Sequence, residues 1–99
     1  MSYGEQRLLE IAVTLATSPE ILLLDEPVNG LSQSETETVA GLIRSLVPKY
    51  TVVMIEHKID VVMKVSDRVT VMSFGEVIAE GTPEAIRGND KVKMAYFGV

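Results

Sequence analysis

Two adjacent carboxylates end the most apolar run of the chain, Ile21-Leu22-Leu23-Leu24-Asp25-Glu26-Pro27. An uninterrupted aliphatic stretch of this length reads as a strand covered on both faces, as in a parallel sheet. Open α/β sheets gather their ligands at the carboxyl ends of such strands. A first carboxylate there can hold Mg²⁺ through water, and a second can polarise an attacking water. The same residues also read as a strand passing into an acidic turn, and the run alone leaves both readings standing. His57 follows a second apolar run, Thr51 to Ile55, and brings a group that exchanges protons near neutral pH. A single histidine so placed is more often structural or simply exposed than functional. Ser2 and Gly4 begin a helical pattern, where free N–H groups and the helix dipole favour an anion. On the residues alone, Ser2 is an ordinary helix cap.

The elements that must hold these groups follow from periodicity. Ser2-x-x-Glu5 is a capping box, and Leu8, Ile11, Ala12, Leu15 and Ala16 follow at helical spacing. A first helix therefore begins at Ser2 and ends at Ser18-Pro19. A second box, Ser32-x-x-Glu35, opens a helix whose core face is Val39, Leu42, Ile43, Leu46 and Val47, and Pro48 stops it. Thr51 to Ile55 is again apolar and β-branched, so Ile21 to Ile55 reads as one βαβ unit with a right-handed crossover. After His57 a short helix carries Ile59, Val62 and Met63 on one side. Arg68–Ser73 and Glu76–Glu80 read as two strands of a hairpin turning at Phe74-Gly75. Thr82-Pro83-Glu84 starts a further helix with proline at its first position, and Lys91 to Phe97 suit a last short one. No repeat or low-complexity segment interrupts the chain, which reads as one unit.

Composition narrows the function classes. The chain of 99 residues allows one small core, and 46% apolar with only 5% aromatic residues points to an aliphatic α/β interior. A net charge of −5 argues against a nucleic-acid or anionic-membrane footprint, since both need clustered Lys and Arg. The absence of cysteine excludes disulfides and thiolate metal sites and fits a reducing compartment. No stretch is long and apolar enough to span a bilayer or act as a signal peptide, so a cytoplasmic protein without direct membrane insertion is expected.

Three motifs, in order and at matching intervals, resemble the ATP-binding subunit of an ABC transporter. Met1-Ser2-Tyr3-Gly4-Glu5-Gln6-Arg7 is similar to that family's signature, L-S-G-G-Q followed by Q-R. The Leu-Leu-Leu-Asp-Glu-Pro run stands where the family has its Walker B strand. Val53-Met54-Ile55-Glu56-His57 resembles the switch-histidine strand. Between them, Asn29-Gly30-Leu31-Ser32 matches the D-loop, although Ser32 stands where Asp is most usual and Asn29 where a small residue is common. No G-x-x-x-x-G-K-[ST] occurs, so the phosphate-cradling loop and its lysine are absent, as is the glutamine loop. The fold class implied is α/β: the C-terminal part of a P-loop NTPase domain over residues 1–99, a parallel βαβ core followed by a β-hairpin and short helices. Ser-Tyr-Gly-Glu-Gln-Arg, Gly81-Thr82-Pro83-Glu84 and the tail Met94-Ala95-Tyr96-Phe97-Gly98 resemble the importer subunits for branched-chain amino acids and, more distantly, urea.

The resemblance assigns roles residue by residue. Asp25 corresponds to the carboxylate associated with Mg²⁺ through water, Glu26 to the general base, and His57 to the switch histidine that meets the γ-phosphate and the attacking water. Ser2, Tyr3, Gly4, Glu5 and Gln6 would face ATP held by a second ATP-binding subunit in a head-to-tail dimer. Asn29, Gly30, Leu31 and Ser32 would cross the dimer interface. Tyr3 and Glu5 depart from the commonest signature residues, while Gly4 keeps the close backbone approach. The implied function is coupling of ATP binding and hydrolysis to import through transmembrane permease subunits, at the inner face of the cell membrane. DNA-repair and chromosome-structure members fit less well, given the acidic balance and the importer-like tail. A non-enzymatic reading also stands: a regulatory or interaction fragment, or a gene remnant, without its own nucleotide site. Without a phosphate loop the chain alone is expected to bind Mg-ATP weakly or not at all and to be inactive.

The family's strand order carries a physical consequence. It places the phosphate-loop strand between the switch-histidine strand and the next one, here Thr51–Ile55 and Arg68–Ser73. Without that strand a row of backbone donors and acceptors is left unpaired, so the chain alone is expected to be marginally stable or self-associating.

Overall fold

The computed structural model describes residues 1–97, with side chains described through Tyr96. Gly98, in the tail that resembles the importer subgroup, lies outside the described residues. The chain divides into two compact units, Met1–Val61 and Val62–Val99.

The first unit is built on the expected βαβ order. Helix α1 runs Tyr3–Leu15, strand β1 Ile21–Asp25, helix α2 Gln33–Ser45 and strand β2 Thr51–Ile55. Both helices start where the capping boxes predict. Ser2 Oγ accepts the Glu5 N–H and Ser32 Oγ accepts the Glu35 N–H, while each glutamate reaches back to its own cap. Each box satisfies two N–H groups that a helix start otherwise leaves without partners. α1 ends earlier than the Ser18-Pro19 pair suggests, capped at Ala16, with Ser18 at φ 54 turning the chain toward β1. β1 and β2 pair in parallel from Ile21↔Thr51 to Asp25↔Ile55.

In-register pairing sorts the side chains by face, because successive residues of a strand point to opposite sides. Leu22 is buried on one side, whereas Ile21, Leu23, Val53 and Ile55 stand exposed on the other, Leu23 at 73%. The reading of β1 as a strand covered on both faces is therefore corrected: among the described residues one face is covered and one is bare. Burial of a Leu or Val side chain contributes roughly 1.5–3 kcal/mol, and the bare face forgoes it. The core of this unit is Ile11, Leu22, Val28, Leu31, Val39, Ala40, Ile43, Leu46 and Val61. Ala12 and Ala16 of the predicted α1 face are exposed, and Leu42 and Val47 of α2 are only half-buried. Thr36 and Ala40 replace them inside, since the buried stripe of α2 follows 36, 39, 40 and 43.

Helix α3, Ile59–Val65, crosses the division between the units. Its deeply buried positions are Val61 and Val65, four residues apart, and Val62 and Met63 of the predicted side are half-buried against the core of the second unit.

The second unit is an antiparallel hairpin with short helices. Strand β3 runs Val69–Ser73 and β4 Glu76–Gly81, joined through Phe74 at φ 51 and Gly75 at φ 79. Two successive positive φ values make the tight turn that matches strand twist, as the Phe74-Gly75 pair predicts. Val71 faces Ala79 but Met72 faces Val77, so Ile78 is an extra residue, a bulge that the sequence pattern does not signal. Helix α4, Pro83–Arg87, is capped by Thr82 with proline in its first turn. Helix α5, Asp90–Val92, continues into a π-helical turn, Lys93–Phe97. Val69, Val71, Ile86 and Val92 form the core, flanked by Val62, Met63, Ile78 and Ala79. The Tyr96 hydroxyl donates to the Met72 carbonyl. Among the described residues the strands thus form two separate two-stranded sheets, and each strand keeps one unpaired edge.

Candidate functional site

Every candidate residue singled out in the sequence falls in the first unit. β1 ends at Asp25, and the chain bends sharply at Glu26, whose φ is 47. The left-handed region costs a non-glycine residue about 1–3 kcal/mol and persists where the surroundings hold it. Here the holding contacts are visible. The Glu26 N–H continues the parallel ladder onto the Ile55 carbonyl at 2.7 Å, and the Glu26 carbonyl accepts the Asn29 N–H at 3.1 Å. The Arg7 guanidinium, reaching over from α1, donates from Nη1 to that same Glu26 carbonyl at 3.3 Å.

The bend brings Glu26 to His57 at the end of β2. Glu26 Oε1 lies 2.7 Å from His57 Nδ1, with both side chains reachable by solvent. An ionised carboxylate only accepts, so His57 donates from Nδ1 and its Nε2 faces outward from the pair. Glu56 supports the histidine from behind. Its side chain is fully buried, and its Oε1 accepts the His57 N–H at 3.0 Å and the Lys58 N–H at 3.3 Å. The Glu56 Oε2 has no hydrogen-bond partner among the described residues.

Asp25 is exposed and lines a shallow depression with Arg7, Ile11, Leu23 and Pro27. Among the described residues no group of three or more His, Cys, Asp or Glu side chains could hold a metal ion. One exposed carboxylate suits Mg²⁺, which keeps most of its waters and takes the rest of its shell from phosphate oxygens; it does not suit an all-protein cage.

The N-terminus of α1 and the 29–32 loop meet. Glu35 Oε2 accepts the Gly4 N–H at 2.8 Å, and its Oε1 accepts the Ser32 N–H at 3.1 Å. These backbone hydrogen bonds, Ser32 first and Gly4 second, hold the Glu35 carboxyl below its ordinary range. Arg7 adds a bond from Nη2 to the Asn29 carbonyl at 3.4 Å. Gly30 has φ 79, a conformation that favours glycine, while Leu31 turns inward and is 8% exposed. Tyr3 and Glu5 are exposed, and Gln6 Nε2 reaches the Met1 carbonyl at 3.3 Å.

The structure thus joins Glu26 to His57, and Gly4 to the start of α2. Sequence reasoning misses Arg7, Glu35 and Glu56 as site residues. Arg7 is legible only as part of the signature and Glu35 only as a capping-box partner. Glu56 carries no signal beyond standing next to His57.

Comparison with known proteins follows the same lines. Residues 1–29 match the family described as ABC transporter, and residues 76–99 the family described as branched-chain amino acid ATP-binding cassette transporter. The high-affinity branched-chain amino acid transport ATP-binding protein BraF of Pseudomonas aeruginosa is 46% identical over 99% of this chain and 39% of its own length. LivG of Escherichia coli, with the same description, is 47% identical over the same shares. Phosphate import ATP-binding protein PstB 2 of Mycobacterium tuberculosis is 38% identical over 92% of this chain and 33% of its own length. Among solved structures, the ADP conformation of MJ1267, an ATP-binding cassette of an ABC transporter, superposes with a TM-score of 0.87 at 31% identity, covering 100% of this chain and 41% of that one. A dimeric post-hydrolysis state of the ATP-binding cassette MJ0796, bound to ADP and Pi, gives 0.71 at 32% identity over 84% of this chain and 36% of that one. The chain therefore spans 39% of the length of BraF and LivG. Matched over 99% of its residues by such relatives, and over residues 1–29 by the ABC transporter family, it is part of an ATP-binding-cassette domain.

Proposed function

We propose that this chain carries the signature and hydrolysis elements of an ATPase subunit serving import of branched-chain amino acids. The Glu26–His57 contact at the ends of β1 and β2 supports this best. It sets a carboxylate beside a titratable imidazole at the carboxyl edge of a parallel sheet, where α/β proteins bind ligands. Glu26 acts as the general base: Oε1 is engaged by His57, and Oε2 accepts the proton of the attacking water. His57 fixes that carboxylate, and its Nε2, left with the ring's lone pair, accepts a hydrogen bond from the water. Asp25 would hold Mg²⁺ through water, where the ion draws charge from the phosphates. The N-terminus of α1, with Ser2, Tyr3, Gly4, Glu5 and Gln6, is offered to ATP on the partner subunit, and Asn29 to Ser32 lie along that interface. The branched-chain assignment rests on the relatives named above and on the match of residues 76–99. Permease subunits would be the further partners.

The test is Glu26→Gln in the ATPase subunit that carries this sequence. Turnover is expected to fall about 10²- to 10⁴-fold with ATP binding kept. Unchanged turnover would remove Glu26 as the base.

A further inference from the structure

We propose that Glu35 is a positioning residue whose one carboxylate ties the first turn of α1 to the D-loop, so that the two segments shift together. The functional consequence rests on the reading above, in which both segments face a partner subunit's nucleotide.

One glutamate oxygen on the cap's own N–H completes the box, and Glu35 Oε1 does this on Ser32 at 3.1 Å. The other oxygen lies 2.8 Å from the N–H of Gly4, a residue 31 positions earlier on a different helix. Two hydrogen bonds from one rigid carboxylate hold both backbones at a fixed separation. The glycine at position 4 is part of the same device. A Cβ there would stand 2.6 Å from Glu35 Oε2 and 3.0 Å from both Cδ and Cγ, so any other residue would displace the carboxylate. The Gly4 amide is thereby directed at Glu35.

Arg7 grips the far end of the same loop, through the carbonyls of Glu26 and Asn29 at 3.3 and 3.4 Å. α1 therefore holds the segment from 26 to 32 at both ends. Glu5 serves the matching box of α1, with Oε1 3.3 Å from the Ser2 N–H, and makes no such link to a second helix among the described residues. The link is a property of Glu35 and not of capping boxes in general.

The experiment is amide exchange and chemical-shift mapping by NMR on the ATPase subunit that carries this sequence, without nucleotide. Glu35→Ala should speed exchange of the Gly4 amide by about tenfold, and Glu35→Gln, with one acceptor oxygen where the carboxylate has two, can keep only one of the Gly4 and Ser32 bonds and should leave the other amide unprotected. Glu35→Asp, one methylene shorter, serves if Glu35→Ala does not fold, and should lose the Gly4 link. Ser32→Ala weakens the same helix start and should leave the Gly4 amide protected. Coupling is read by adding Ser2→Ala, which loosens the first turn of α1. The Ser32 amide should respond to that change in the unsubstituted chain, and not beside Glu35→Ala, Glu35→Asp or Glu35→Gln. A Gly4 amide indifferent to Glu35→Ala and Glu35→Asp, or equally affected by Ser32→Ala, overturns the proposal. So does a Ser32 response that survives loss of the carboxylate. Failure of the ATPase reading would appear instead as normal turnover in Glu26→Gln, with the link intact.

Discussion

In the function proposed above, Glu26 is the residue on which the chemistry would turn, and its geometry supports that role. A strand that simply continued past Asp25 would send the next side chain to the opposite face of the sheet. The left-handed bend at φ 47 breaks that alternation and turns Glu26 to His57. His57→Ala should therefore lower turnover in the ATPase subunit while leaving the fold in place, checked by circular dichroism beside the kinetic assay. Glu35 gives a pH prediction. Its folded pKa is depressed, so its contribution to stability is present above the unfolded value near 4.5 and is lost as pH falls through the lower folded value. Urea midpoints measured from neutral pH down to acid should show a loss below about pH 4.5 that Glu35→Gln reduces.

At the scale of elements, the two capping boxes and the Thr82 cap set where helices start. Ser2→Ala and Ser32→Ala should each cost about 1 kcal/mol, read from urea unfolding, with Ser32→Ala also disturbing the loop that precedes α2. The core is thin enough for one truncation to matter. Leu22 is 1% exposed, and Leu22→Ala should cost about 2–5 kcal/mol in the same measurement, a large share of the stability of a small domain. The hairpin of the second unit packs Val69 and Val71 into its core and closes at the Phe74-Gly75 turn. Phe74 is fully exposed at φ 51, so its side chain contributes little there and its backbone conformation contributes the turn.

For this stretch of chain by itself, the bare face of the β1–β2 sheet is expected to govern behaviour in solution. Ile21, Leu23, Val53 and Ile55 form an apolar strip beside open strand edges, a combination that promotes association. Light scattering of the purified chain should show mass rising with concentration. Leu23→Lys with Val53→Lys should shift the population toward monomer without loss of helix signal. A monomer at all concentrations with a cooperative melt well above ambient temperature would contradict this.

The amino-acid sequence by itself determined what depends on neighbours along the chain. Capping boxes at Ser2 and Ser32, proline after Thr82, the apolar β-branched strands and the Phe74-Gly75 turn are local signals, and each formed as read, because a helix start or a tight turn is decided within four residues. The identities of Asp25, Glu26 and His57, and their motif order, were also plain. Tertiary structure decided what depends on distant partners. It left one face of β1 bare, because an aliphatic run states only that a strand can be covered, not that a layer lies over each side. It moved the buried stripe of α2 onto Thr36 and Ala40, because helix rotation answers to the surface packed against it. It also set Glu35 against Gly4 across 31 residues, a contact that no local period encodes, since both ends already had an ordinary reason to be where they are.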